Sequence, residues 1–221
     1  MPAVVLIRHA QASYGGDDYD VLSERGVEQA AAVHAALEGR GVRAARLVSG
    51  SMRRQVDSAL PWTDAGAELA VDERWNEYDA AGVLAAHSET AAALEGAGAQ
   101  EVSSRDFQVV LDSALRAWIE AGDGSPAAEP WPAFRARVTG AHADLVAGLG
   151  SGETGFAFTS GGAIAACCVA ALGLPDAAMV DLNRVTINGG LTKLAAGRSG
   201  TSLVSFNEHA HLEPAGLVTY R

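Results

Sequence analysis

The residues of this 221-residue chain that could do chemistry collect in four short segments: Arg8-His9, Ser49 to Arg54, Glu73 to Glu77, and Ser160-Gly161-Gly162. Each follows a run that reads as a β-strand. In an open α/β sheet the ligand crevice lies beyond the carboxyl ends of the strands, so all four segments should face one crevice. Arginine forks take phosphate or carboxylate oxygens two at a time. A helix start opened by Gly-Gly offers backbone N–H groups to an anion. Histidine at such a place can act as nucleophile or base, and a carboxylate beside it can carry a proton. The set suits a phosphate, although position alone leaves anion binding and a purely structural role for these residues both open.

The elements that must position these residues are legible from pattern. Ala3 to Ile7 is a continuous apolar, partly β-branched run, as expected of a strand buried on both faces. Ser23 offers an N-cap to an Ala-rich helix running to about Glu38, stopped by Gly39 and Gly41. A second strand over Ala45 to Val48 precedes Ser51, read as the cap of a helical stretch to about Thr63, and Glu68 to Val71 reads as a third strand. Helices are expected over Phe107 to Ile119 and Phe134 to Leu149. A strand over Gly155 to Thr159 then leads into an apolar helix from Gly161 to Leu172. Val185 to Leu194 and Ser202 to Phe206 should close the sheet, with Asn188-Gly189-Gly190 as a turn or bulge near the site. The implied fold is α/β: a three-layer sandwich with a mainly parallel sheet, flanked by helices and joined by right-handed crossovers. The chain reads as one domain over residues 1–221, with a helical cap insertion at about residues 78–132 that shows no strand pattern.

Composition narrows the class. The net charge is −11, with 16 Lys plus Arg against 27 Asp plus Glu and no basic cluster, which argues against nucleic acid or an anionic membrane as partner. Fifteen of the cations are Arg and only Lys193 is Lys, a skew that reads mainly as genome composition. Cys167 and Cys168 are adjacent in an apolar stretch and resemble packing residues, which fits a reducing, cytoplasmic setting. The apolar run before Arg8 is too short for a signal peptide or a membrane span. No His, Cys, Asp or Glu cluster has metal-ligand spacing, and no dinucleotide or Walker fingerprint occurs, so neither metal nor cofactor is expected. A serine-hydrolase reading of Ser160 fails because Phe158 stands where the nucleophile elbow needs glycine. The four tryptophans read as packing residues, and the sequence leaves room for a homodimer.

Five ordered segments also carry a resemblance. Leu6-Ile-Arg8-His9-Ala-Gln resembles the arginine-histidine signature of the histidine phosphatase superfamily, which includes cofactor-dependent phosphoglycerate mutases and many phosphatases. Leu22-Ser23-Glu-Arg-Gly26-Val-Glu-Gln29-Ala30 is similar to the family's helix-opening Leu-Thr/Ser-x-x-Gly-x-x-Gln-Ala. Ser49-Gly-Ser-Met-Arg-Arg54-Gln-Val-Asp-Ser58-Ala59 is similar to its Ser-Ser-Pro-Leu-x-Arg-x-x-x-Thr-Ala. Trp75-Asn-Glu77 falls where the family places a carboxylate, and Phe156 to Gly162 matches the strand before its second histidine.

The resemblance implies a phosphomonoesterase acting on a small phosphorylated substrate through a phosphohistidine on His9. Arg8 and Arg54 would hold the phosphate, register favouring Arg54 over Arg53, and Glu77 would be the acid and base. The departure is at the second histidine, where this chain reads Thr159-Ser160-Gly161-Gly162. Ser160, with the Gly161 and Gly162 amides, is expected to replace part of that donor. Ser13 could offer a hydroxyl to phosphate. Tyr14-Gly15-Gly16 stands where mutases keep a Trp-Asn pair, which makes a mutase the weaker reading, and a phosphate- or phosphopeptide-binding domain without turnover is the alternative. His209 and His211 read as structural.

Overall fold

A computed structural model describes residues 1–13, 20–87 and 104–220, with the side chains of Ser104 and Arg105 outside the description. Six strands form one sheet in the order β3-β2-β4-β1-β5-β6. They are β1 (Ala3–Arg8), β2 (Arg46–Ser49), β3 (Leu69–Val71), β4 (Thr154–Thr159), β5 (Leu191–Gly197) and β6 (Gly200–Glu208). The first four in that order pair in parallel, while β5 and β6 run antiparallel as a hairpin at the opposite edge. The sheet is therefore mixed, with its parallel half on the side that carries the site.

Alternation along β1 explains the layers, because successive side chains point to opposite faces. Val4 and Leu6 enter a core shared with Trp75, Trp118, Trp131, Phe134 and Ile164. Val5 and Ile7 enter another with Val33, Leu37, Trp62, Phe156 and Phe158. Both faces are covered, which is why the run is uninterrupted in its hydrophobicity. Eight α-helices are seen among the described residues: α1 (Glu24–Gly39), α2 (Arg53–Ser58), α3 (Leu60–Thr63), α4 (Ala80–His87), α5 (Ser104–Ala121), α6 (Trp131–Ala147), α7 (Gly161–Leu172) and α8 (Ala178–Val185). No strand falls among the described residues of the 77–132 span.

Ser23 caps α1 as expected, accepting a hydrogen bond from the Gly26 amide at 3.0 Å. Three expectations are corrected. Ser51 is not a cap, since Met52 holds that position with no side-chain bond, and Ser51 instead takes part in a pair with Asn76. The helical stretch that follows breaks at Ala59 into α2 and α3. The strand expected from Val185 begins only at Leu191. Val185 ends α8, whose apolar residues Met179 and Val180 are buried, and Gly189, at φ 70°, makes the turn between helix and strand. The tryptophans are packing residues: Trp75, Trp118 and Trp131 are fully buried, and Trp118 and Trp131 meet edge to face with centroids 5.5 Å apart.

Candidate active site

The parallel ladder itself aims the first functional pair. Arg8 is the last residue of β1, and the His9 amide donates to the Thr159 carbonyl at 2.8 Å, extending the β1–β4 pairing by one step. The backbone after His9 is then pinned from three directions. The Ala10 amide donates to Ser58 Oγ at 2.9 Å, the Gln11 amide to Gln29 Oε1 at 2.7 Å, and Asn188 Nδ2 to the His9 carbonyl at 3.2 Å. Gln29 and Ser58, each part of a motif segment in the sequence, are thus the supports of the His9 loop.

His9 is 6% exposed and its tautomer follows from its neighbours. Arg54 Nε carries a hydrogen and can only donate, so His9 Nε2, 3.2 Å away, is the acceptor. Nδ1 therefore carries the proton and donates to the Ala10 carbonyl at 2.8 Å. Burial, then the charges of Arg8 and Arg54, hold the His9 pKa well below the ordinary histidine value, against the opposing carbonyl bond. The ring is accordingly neutral near pH 7, with a lone pair on Nε2 directed into the cleft's cationic corner.

Arg54 is held in place by carboxylate and ring together. Its Nη1 donates to Asp20 Oδ1 at 2.6 Å, and Asp20 Oδ2 also accepts from the Arg53 amide at 2.7 Å. Arg8 Nη1 donates to the carbonyls of Thr186 and Tyr220, the latter at 3.1 Å. The segment bearing Tyr220 is in turn fastened by Gln29 Nε2, which donates to Leu217 O at 2.7 Å and Thr219 Oγ1 at 2.8 Å.

Glu77 arrives from the other side, past a 3-10 turn at Glu73–Trp75. The turn is fixed by Thr159 Oγ1 donating to the Trp75 carbonyl at 2.6 Å. Arg137 of α6 donates to the carbonyls of Arg74 at 2.9 Å and Asn76 at 2.8 Å. Glu77 Oε2 accepts from the Gly162 amide at 2.9 Å, so the carboxylate sits on the N-terminus of α7, where the helix dipole favours negative charge. A Cβ at Gly162 would run into that carboxylate and the Tyr78 ring, which explains the glycine by close approach. Burial nevertheless dominates and raises the Glu77 pKa above the ordinary value, offset in part by the Gly162 bond and by Arg54 and Arg8.

Arg8, His9, Arg54 and Glu77 line one cleft of about 1120 Å³. The other sequence-predicted residues do not. Ser160 is fully buried and its Oγ accepts from Gln55 Nε2 at 2.8 Å, so it stands behind the cleft wall. Gly161 does not line the cleft either, and the Gly162 amide is committed to Glu77 rather than left for an anion. Ser13 lies outside the lining, its amide donating to the Val21 carbonyl at 2.7 Å. Tyr14 to Gly16 lie outside the described residues. His209 and His211 make backbone bonds to Asn207 O at 2.6 Å and Gly189 O at 3.0 Å, as structural histidines do. Four residues that sequence reading missed now stand around the site: Gln55 behind it, and Tyr78, Arg137 and Asn183 in its lining. Arg137 carried a weak signal as a lone cation on a largely apolar helix face. Gln55 carried none.

No group of three or more His, Cys, Asp or Glu arranged to hold a metal occurs among the described residues. Cys167 and Cys168 are free and buried in α7, and burial pushes both thiols up, that of Cys168 to about 12. No helix among the described residues is long and apolar enough to cross a membrane.

This sheet, with an arginine and a histidine at the end of its first strand and a second arginine at the start of the helix after β2, defines a class. The model of the Histidine phosphatase superfamily (branch 1) matches residues 4–209, and the chain belongs to that family. Among solved structures it is similar to a mycobacterial glucosyl-3-phosphoglycerate phosphatase complexed with VO3. That match has 25% identity and a TM-score of 0.64, covering 94% of this chain and 99% of that one. It is similar in fold to a phosphoserine phosphatase mutant from Entamoeba histolytica in complex with phosphoserine, at 18% identity and a TM-score of 0.67, covering 96% of this chain and 100% of that one. YhfR of Bacillus stearothermophilus shares the fold at 15% identity and a TM-score of 0.68, with the same coverage of 96% and 100%. No curated protein matches the chain.

Proposed function

We propose that the chain is a phosphomonoesterase working through a phosphohistidine on His9. The observation that carries this reading is the state of His9: neutral, with its proton fixed on Nδ1 and its Nε2 lone pair beside Arg54, in a cleft that Glu77 also lines. A phosphate monoester entering the cleft draws Arg54 Nε from His9 to a phosphoryl oxygen, which frees the lone pair as the nucleophile. Nε2 forms a bond to phosphorus as the ester P–O bond breaks. Arg8 and Arg54 neutralise the charge on the equatorial oxygens, the term phosphoryl transfer needs most. Glu77, whose raised pKa favours the acid form, gives its proton to the departing alkoxide. It then takes one from the water that attacks the phosphohistidine, releasing phosphate and neutral histidine.

The similarity to phosphatase structures supports the same reading, and two free, buried cysteines fit a cytoplasmic setting, which we propose with it. The test is metal-free hydrolysis of an aryl phosphate, together with trapping of an acid-labile phosphoenzyme in wild type but not in His9→Ala. Undiminished turnover by His9→Ala would remove the mechanism.

A second reading rests on Ser160 and Gly162. With Ser160 enclosed behind Gln55 and the Gly162 amide held by Glu77, two expected phosphate donors are missing from the cleft, as in a phosphate-binding domain without turnover. Calorimetric binding of phosphate or vanadate with no hydrolysis supports that reading. A phosphoglycerate mutase is the weakest of the three on sequence, and product analysis with a phosphoglycerate tests it.

A further inference from the structure

Beyond its phosphate-binding floor the cleft changes character. Ala80, Ala81 and Leu84 of α4 and Phe107 and Leu111 of α5 line it with hydrocarbon. Three more arginines border this part, and each is already neutralised. Arg74 pairs with Asp72 at 2.8 Å and Asp144 at 2.7 Å, Arg137 with Glu129 at 2.6 Å, and Arg184 with Asp112 at 2.9 Å and Asp181 at 2.8 Å. Glu73 and Asp79 add negative charge to the same lining.

A carboxylate on the leaving group would therefore lose hydration against an apolar wall, meet arginines whose forks are committed, and approach two further acids. Each of these costs discriminates against it, as unpaired and like charges do in any specific site. An uncharged, largely apolar alcohol meets none of them, and gains by covering exposed Ala81 and the cleft-facing parts of the half-buried Ala80, Leu84 and Leu111. We infer that the substrate is the phosphate monoester of an uncharged, largely apolar alcohol, and that acidic esters such as phosphoglycerates are selected against by the arginine–carboxylate pairs of the outer cleft. This inference rests on the phosphatase reading.

Comparing n-hexyl phosphate with 3-phosphoglycerate, both alkyl monoesters, keeps the difference in leaving-group activation small, and what remains favours phosphoglycerate. The expected result is a kcat/KM higher for hexyl phosphate by on the order of tenfold or more, the discrimination that pocket contacts of this kind provide. Equal efficiencies, or a preference for phosphoglycerate, overturn the inference while leaving the phosphatase reading intact. In the double variant Asp112→Asn, Asp181→Asn, Arg184 loses both carboxylates while the side-chain shapes are kept, and phosphoglycerate should gain severalfold relative to hexyl phosphate. Circular dichroism and unchanged inhibition by vanadate check that the variant is folded and its floor intact. A ratio that does not move in the folded variant overturns selection by charge. If no ester is hydrolysed, the phosphatase reading fails, and the affinities of the two esters measured by calorimetry decide the class. Tighter hexyl phosphate upholds the inference, and equal or tighter phosphoglycerate overturns it.

Discussion

Restoring histidine at position 160 should fail alone and succeed with a second change. Ser160 and Gln55 are both fully buried, and Gln55 Nε2 spans from Ser160 Oγ at 2.8 Å to the Trp75 carbonyl at 3.2 Å. Gln55 Oε1 has no hydrogen-bond partner among the described residues, and a Cβ at Gly50 would collide with it, so the amide is closely enclosed. An imidazole at position 160 must displace this side chain. Overpacking a closed site costs about 2 kcal/mol, and losing the Gln55 hydrogen bonds adds about 1 kcal/mol. For a chain of this length the sum of roughly 3 kcal/mol lowers Tm by about 6–12 °C.

In the double variant Ser160→His, Gln55→Ala the smaller residue vacates the volume, and the Trp75 carbonyl keeps its 2.6 Å bond from Thr159. Stability should return to near wild type. A donor newly aimed at the phosphoryl group should raise kcat on an aryl phosphate by about 10²–10³, the value of one such donor. Thermal unfolding and steady-state hydrolysis read both effects. If Ser160→His alone is as stable as wild type and more active, Gln55 does not close the site. If the double variant folds without gaining rate, position 160 is not where transition-state charge develops.

Arg54→Lys should lower kcat/KM by about 10²–10³, because an ammonium cannot serve His9, Asp20 and phosphate from one planar fork; a change under threefold in the same hydrolysis assay contradicts its role. The pH profile of kcat/KM should fall as pH drops through the lowered His9 pKa, since the nucleophile must be neutral, and fall as pH rises through the raised Glu77 pKa, since the acid must be protonated. Glu77→Gln should lose about 10²–10⁴ in rate on an alkyl ester and flatten the alkaline limb, whereas an intact limb would give the acid role to another group. His142, buried with Nε2 unpartnered among the described residues, has a folded pKa below 6.5. The unfolded chain therefore binds the extra proton first, and stability falls as pH drops below 6.5, by up to about 1.4 kcal/mol per pH unit. His142→Leu should remove that part of the slope and add about 1 kcal/mol at pH 7 in urea unfolding; an unchanged difference between pH 7 and 5.5 refutes it.

What the sequence makes legible here is what is decided locally. Ser23 caps α1 because its hydroxyl meets an amide three residues on, and Ala3 to Ile7 is a strand because both its faces are covered. Arg8 and His9 at the end of β1 and Arg54 at the start of α2, after neighbouring parallel strands, lie at the same edge of the sheet, so the strand pattern already places them in one crevice. The misreadings depend on distant partners. Ser160 is lost to the cleft through Gln55, 105 positions away. Val185 to Gly190 resembles a strand by composition, yet Asn207 accepts from the Ile187 amide through Oδ1 at 2.8 Å and donates to the Val185 carbonyl at 2.7 Å. That side chain takes the bonds a neighbouring strand would have made.

The Gly162 amide shows what such a distant pairing does to chemistry. With Gly-Gly at a helix start, the sequence suggests an anion site for phosphate, but the chain places its own Glu77 there. On the proposed reading phosphate would be left to the guanidinium side of the cleft, and charge neutralisation would fall on Arg8 and Arg54. Glu77 gains an anchored oxygen that accepts the same bond whether the carboxyl is charged or protonated, since a protonated carboxyl still offers a carbonyl oxygen. Its orientation therefore does not change as the proton leaves and returns. A net charge of −11 over the chain is compatible with this arrangement because the arginines bordering the outer cleft carry their own acids, while beside His9 two guanidiniums, Arg8 and Arg54, stand against the carboxylate of Asp20.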